Sequence, residues 1–266
     1  MKIIENREDL ERRILDLRHL LGAVRVSLQQ GEKFLVVRLA PNGPIMLERN
    51  LSYVHKAIWG MFASGVDRRI IVRLLNWTKE EALQPNGDFY FPEEGPEYKD
   101  LQRVYRPLTF LKVAAWIGHP LVKDELVLNR ILQYQHGESS GVFNYIGDNP
   151  NNPEEQATIG SLNTSFFGHL MVALDMRKRA VKAGDWIRRF VEANEENMLQ
   201  RGFMFTQMTP DGNLVTDVKP GEKILKIVDN KGSKQEFWQV GTAMAYLCVL
   251  YDALRDRWGC GREQAE

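Results

Sequence analysis

The sequence predicts a mainly α-helical protein assembled from repeated helical hairpins, with a small β-like arm near its N-terminus and a short β-hairpin near residues 212–232. Three observations carry this reading. From Asn50 onward, apolar residues recur at helical spacing. Successive helical segments are joined by connections so short that the two must fold back on each other. After each second helix comes a polar loop in which a glycine is followed closely by phenylalanine: Gly87-Asp88-Phe89-Tyr90, Gly141-Val142-Phe143-Asn144 and Gly202-Phe203-Met204-Phe205. These glycines lie 54 and 61 residues apart, a period that suits two helices and a loop. A helical hairpin cannot bury both of its faces alone, so the hairpins must stack. The expected organisation is one domain over 1–266, with an N-terminal helix and arm in 1–49 and the hairpins in 50–257.

The elements follow in order. Leu10, Ile14, Leu17 and Leu21 mark a first helix over 7–22, with Gly22 as its stop. Residues 23–48 alternate in AVRVSLQQ and KFLVVRL and end in the turn PNGP, which reads as the β-like arm. Asn50 and Ser52 are N-cap residues for LSYVHKAIWGMFAS, Gly65 closes it, and VDRRIIVRLLNWTKEEAL follows as its antiparallel partner. The second hairpin is DLQRVYRPLTFLKVAAWIG with HPLVKDELVLNRILQYQ. The third is IGSLNTSFFGHLMVALDMRKR with AVKAGDWIRRFVEANEENML. NLVTDV and KILKIVD supply the hairpin near 212–232, around the plain turn Asp211-Gly212. A last helix, QEFWQVGTAMAYLCVLYDALRDRW, has no partner after it in sequence, and the helix at 7–22 is the expected one to close against it.

Composition removes several function classes. Thirty-five Lys and Arg balance thirty-five Asp and Glu, so no bulk field draws the chain to nucleic acid or an anionic membrane. The longest apolar runs are too short to span a bilayer. The charged N-terminal stretch reads as neither signal peptide nor anchor. Two cysteines make no disulfide framework, with Cys248 expected in the core and Cys260 exposed, so a cytoplasmic location is expected. The five histidines and two cysteines show no metal-ligand spacing, and no glycine-rich phosphate loop occurs. Metal and cofactor are therefore both expected to be absent.

Helical hairpins separated by glycine–phenylalanine loops, with aromatic residues near the start of each new hairpin, resemble the α/α-toroid proteins: terpene cyclases, protein prenyltransferase β-subunits, lanthionine cyclases and six-hairpin sugar enzymes. The resemblance covers about residues 50–257 and is one of architecture. The acid D-x-D-D and the magnesium motif D-D-x-x-D of those relatives do not occur, and about four hairpins stand where the relatives have five to seven. The resemblance implies that the first helix of each hairpin lines a central cavity, with its N-terminal end at the mouth.

On that implication the candidate site residues are those that open the four inner helices: Tyr53, His55 and Lys56; Tyr105 and Arg106; Asn163, Thr164 and Ser165; and Trp238, Gln239 and Thr242. Trp59, Phe110, Phe166 and Met244 are expected as apolar walls. An unperturbed imidazole titrates near neutrality, so His55 is the candidate acid or base, with Tyr53 and Tyr105 as proton donors or oxyanion holders. Arg106 offers a fork for a carboxylate. Asn163, Trp238 and Gln239, with Asp88 and Tyr90 from the first loop, are candidate substrate contacts. His119, His136 and His169 lie on separate elements.

Three functions stay open. One is a cofactor-independent acid–base enzyme, a lyase or isomerase acting on a small, largely apolar molecule by dehydration, isomerisation, cyclisation or retro-addition. The second is a carbohydrate-processing enzyme using loop carboxylates (Asp88, Glu93, Glu94, Glu97, Glu154, Glu155) and the aromatic platforms Tyr90, Trp238 and Tyr145. The third is a non-catalytic scaffold with an open groove. The arm at 23–48 is expected to mediate a homodimer through its strand edge.

Overall fold

The computed structural model describes residues 7–37, 49–91, 93, 104–146, 158–218, 226–233, 235 and 237–260. Within them the protein is mainly helical, with a small two-sheet β part. Helix α1 (Arg7–Val37) precedes three hairpins: α2 (Leu51–Ser64) with α3 (Arg68–Ala82), α4 (Tyr105–Trp116) with α5 (Glu125–Gln133), and α6 (Ser161–Ala173) with α7 (Arg177–Glu196). Helix α8 (Trp238–Cys260) closes the order.

The first hairpin shows how local sequence sets these boundaries. The Asn50 side chain accepts from Ser52 N–H, and Gly65 ends α2 in the left-handed region at φ 77° while its N–H closes on the Met61 and Phe62 carbonyls. Two residues later Asp67 caps α3 through Arg69 N–H. So tight a connection leaves α3 no choice but to lie back on α2. In the second hairpin His119 caps the single 3-10 turn Pro120–Lys123, and Asp124 caps α5.

The first helices of the hairpins form a row in which α2 packs on α4, α4 on α6 and α6 on α8. Helix α3 packs on α2, and α7 on α6. His55 and Tyr105 meet edge-to-face at 4.8 Å near the start of α2 and α4, while Phe62 and Trp116 stack at 5.2 Å near their ends, so the two helices run in the same direction. Helix α8 docks through small residues. A Cβ on Gly168 of α6 would collide with the Tyr246 ring, and one on Gly184 of α7 would stand 2.7 Å from Leu250. Glycine at both places lets α8 settle into the groove, and the Tyr246 hydroxyl then donates to the Ala180 carbonyl.

The recurrent loops are built as the repeat implies. Phe89, Phe143 and Phe205 are all buried, and Phe89 meets Phe110 of the next hairpin edge-to-face at 5.0 Å. Gly87 and Gly202 hold φ of 87° and 76°, where a side chain would be strained. Gly141 is needed for space instead, because a Cβ there would run into Ile159 and Trp186.

Four expectations are corrected. No β-like arm occupies 23–37: α1 continues through Gly22 to Val37, and the rest of the proposed arm, with its PNGP turn, lies outside the described residues. The alternation of Val24, Val26 and Leu28 misled because Val24 and Leu28 also extend the helical stripe Leu10, Ile14, Leu17, Leu21, and one interior glycine costs only about 1 kcal/mol. Among the described residues, the β-structure near 212–232 is not a hairpin of its own two runs. β1 (Ile159–Gly160) pairs antiparallel with β3 (Gln207–Met208), and β2 (Phe203–Phe205) with β4 (Ile227–Asp229). The Asp211-Gly212 turn instead folds Leu214 back onto Met208. Helix α1 packs on α2, at the far end of the row from α8, and Cys248 is exposed on α8 rather than in the core.

Candidate functional site

The side of the row away from α3 and α7 carries a cleft of about 930 Å³, within the range of small-molecule sites. Each helix contributes one face. α2 gives His55, Lys56 and Trp59. α4 gives Tyr105, Thr109, Lys112 and Trp116, one residue per turn along its whole length. α6 gives Phe166 and His169, and α8 gives Trp238, Gly241, Thr242, Ala245 and Val249. Five of the fourteen described lining residues are Trp, Tyr or Phe. Tyr105 lies 5.6 Å from Phe166 and 6.3 Å from Trp238, and Trp59 lies 5.5 Å from Trp116.

Lys112 is the unusual member. It is 5% exposed, and its Nζ stands 4.2 Å from the Trp59 ring centre and 5.2 Å from those of Trp116 and Phe166. Among the described residues no carboxylate or hydrogen-bond acceptor is paired with it. Burial pushes its ammonium down to about 8 from the usual 10.5, because the charged form loses water and regains only the ring faces.

Two imidazoles share the cleft. Burial holds His55 down to about 4, reinforced by the neighbouring Lys56 and Arg106 charges and opposed by a hydrogen bond to the Leu51 carbonyl. That bond, 2.8 Å from Nδ1, fixes the tautomer: a carbonyl only accepts, so Nδ1 carries the proton and Nε2 keeps a lone pair. His169 is likewise held down to about 4, by burial and then by the Lys112 charge. Both are neutral proton acceptors at physiological pH. The other two histidines of the hairpins serve turns: His119 donates from Nε2 to Asn76 and accepts from Leu121 N–H at Nδ1, and His136 accepts from Ser139 N–H.

The sequence-derived candidates divide. His55, Lys56, Tyr105, Trp238 and Thr242 line the cleft, as do the expected walls Trp59 and Phe166. Arg106 stands close enough to His55 to disfavour its protonation. Tyr53 is 45% exposed on α2, outside the lining. Asn163 is buried and donates to the Asn144 side chain; Thr164 and Ser165 are buried with their hydroxyls on carbonyls one turn back. Gln239 is buried beside the cleft rather than in its lining, Phe110 is in the core, and Met244 lines a neighbouring groove. Asp88 takes two donors from Arg130, at 2.7 and 3.0 Å, and one from the Tyr134 hydroxyl at 3.0 Å. Tyr90 is tied through its backbone to Ala82 and Gln84. Glu93 pairs with Arg49 at 3.2 Å, while Glu94, Glu97, Glu154 and Glu155 lie outside the described residues.

Sequence reasoning missed Lys112, Thr109, Trp116 and His169. Lys112 had a signal: it is the lone charge in the apolar run LTFLKVAAW. His169 follows Phe166 by three residues on the same helical face, which the reading of helix starts alone passed over. Among the described residues no group of three or more His, Cys, Asp or Glu could hold a metal ion, and no helix is long and apolar enough to cross a membrane. No family model, curated protein or solved structure matches the chain.

Proposed function

We propose that this protein is a cofactor-independent acid–base enzyme of the lyase or isomerase type, acting on a small, largely apolar molecule in the cleft of α2, α4, α6 and α8. The observation that carries this is two neutral imidazoles, the buried His55 and the half-buried His169, facing the same aromatic-walled space as a desolvated amine. Neutral imidazole takes a proton, and the imidazolium so formed returns it elsewhere on the substrate. Tyr105 and Thr109 supply hydroxyls along the same wall. The row of first helices, with α3 and α7 behind it, is what supports reading the fold as part of an α/α toroid. A carbohydrate enzyme is less favoured, since the described lining contains no carboxylate.

The test is proton exchange. A panel of small apolar ketones, aldehydes and β-hydroxy carbonyl compounds is incubated with the protein in D₂O and followed by NMR. Deuterium incorporation or water loss is expected for at least one member, with His55→Gln and His169→Gln each slowing it by about 10²-fold or more. Binding of panel members in the cleft with no exchange or conversion of any would overturn the proposal.

We also propose a homodimer through α1. Its stripe Leu10, Ile14, Leu17, Leu21, Val24, Leu28 alternates steps of four and three residues, the spacing of a coiled-coil seam. Val24 and Leu28 border the groove against α2, while Leu10, Ile14, Leu17 and Leu21 stand 41–57% exposed on the same stripe. The same stripe of a second copy is the self-complementary occupant.

A further inference from the structure

We infer that Lys112 is a covalent, imine-forming residue and that the substrate of this cleft is a small apolar aldehyde or ketone. The inference rests on the acid–base reading of the same cleft and names its substrate class. It follows from placement. A lysine buried in the middle of a helix normally ends on a carboxylate or a carbonyl, because an unpaired buried charge is costly. Lys112 ends instead in the substrate space, enclosed by Trp59, Trp116 and Phe166. Arg or Met would fill the same space without an amine nucleophile. An amine in an apolar pocket is the form in which lysine attacks carbonyls.

The charged and titratable groups around it are consistent with a partly unprotonated amine. α2 presents Lys56 and His55, and α6 presents His169. The described lining of α8 (Trp238, Gly241, Thr242, Ala245, Val249) has none, and among the described residues no carboxylate faces Nζ. With the ammonium lowered to about 8, about a quarter of the amine is free at pH 7.5.

The step balances without a co-reactant. The Nζ lone pair forms a bond to the carbonyl carbon as the C=O π pair moves to oxygen. A proton passes from nitrogen to that oxygen, giving the carbinolamine. The carbinolamine oxygen takes a second proton from solvent, the C–O bond breaks, the oxygen leaves as water, and a protonated imine remains. Its positive charge replaces the ammonium within the same three ring faces, so the cage holds product and reactant cations alike. The iminium withdraws electrons from the adjacent C–H bond, whose proton His55 or His169 accepts. Hydrolysis of the imine by the reverse sequence frees the lysine.

The test uses the full chain with 3-phenylpropanal and sodium cyanoborohydride at pH 7.5, read by peptide mass spectrometry at every lysine. The alcohol 3-phenylpropanol serves as a non-reactive binding control, followed by fluorescence of the cleft tryptophans. Expected is reductive alkylation of Lys112 at least about 10-fold faster than of Lys56 or the exposed lysines, rising with pH to a midpoint near 8, and slowed by excess alcohol. If the alcohol binds but Lys112 is labelled no faster than exposed lysines, the imine is wrong and the acid–base reading stands. If neither compound binds, both fall. Lys112→Met, which keeps the bulk of the stem, must bind the alcohol and lose the fast label; retention of the fast label elsewhere in that variant also overturns the assignment.

Discussion

The Lys112 amine lies over the Trp59 ring at 4.2 Å, with no carboxylate against it among the described residues. That pairing joins α4 to α2 by the face of an indole, a weaker partner for a cation than an acid. The protein therefore holds a charge at a cost, inside the cleft proposed to bind a small molecule.

Replacing that amine should stabilise the fold. Folding lowers the Lys112 ammonium from 10.5 to about 8, so the native state disfavours the proton that the unfolded chain keeps. The penalty is fully present below pH 8 and disappears as pH rises through 8 toward 10.5. Lys112→Met should raise stability at pH 7 by on the order of 1–3 kcal/mol after loss of the ring contacts, with the gain shrinking toward pH 10.5. Urea unfolding at pH 7 and pH 10 measures it. A destabilised variant at both pH values would mean that Lys112 is part of the packing and nothing more.

His55 should make the protein acid-labile. Its imidazole is held down to about 4 against 6.5 in the unfolded chain. The unfolded state therefore takes up a proton first as pH falls. Stability is constant above about pH 6.5, falls between 6.5 and 4, and levels off below, losing on the order of 3 kcal/mol through this residue. His55→Gln keeps a donor for the Leu51 carbonyl and should remove about half of the 6.5–4 slope in a thermal-melting series, His169 carrying the remainder. An unchanged slope would locate the acid response elsewhere.

Asp88 is expected to matter for folding. It and Arg130 are each about 3% exposed, and the carboxylate also takes the Tyr134 hydroxyl. Arg130 reaches on to the Ile146 carbonyl, so the pair ties the first loop to the second. Asp88→Ala takes a buried carboxylate away from a buried guanidinium and should cost about 3–5 kcal/mol. Differential scanning calorimetry gives the answer, and a loss under 1 kcal/mol would show that the loops hold without the pair.

The α1 stripe should set the oligomeric state. Leu17 and Leu21 are each 57% exposed on a helix running 31 residues. Leu17→Lys with Leu21→Lys places four like charges across the seam of a dimer and should leave a monomer in sedimentation equilibrium with the helical content of the rest intact. A wild-type chain already monomeric at about 100 μM, well above the Kd range of stable dimers, would remove the proposal.

The hairpins were legible because their signals are local: Asn50, Gly65 and Asp67 cap α2 and α3 through neighbours a few residues away, and the glycine–phenylalanine loops announce their own spacing. Helix α1 was half legible, since periods of two and of 3.6 coincide over Val24–Leu28 and only continuity with Leu10–Leu21 decides between them. The β pairs were not legible as pairs. Ile227–Asp229 reads as a strand, but its partner Phe203–Phe205 lies more than twenty residues upstream, and neither run carries a signal for the other. His55, Tyr105 and Trp238 could be placed from the ends of the helices. Lys112 and His169 could not be placed from helix ends, because the cleft continues past the start of α4 and α6, where register between helices decides which residue faces in.

The docking of α8 through Gly168 and Gly184 puts the final wall of the cleft on the helix that leaves the ribosome after the three hairpins. Trp238, Thr242 and Val249 reach the other wall residues only after residues far upstream have formed the groove that receives Tyr246 and Leu250. Until α8 docks, Lys112 and its aromatic neighbours have one wall missing. Because the seat is shaped by two absent side chains, one added methyl group at Gly168 would keep the hairpins and abolish the room they were built to enclose.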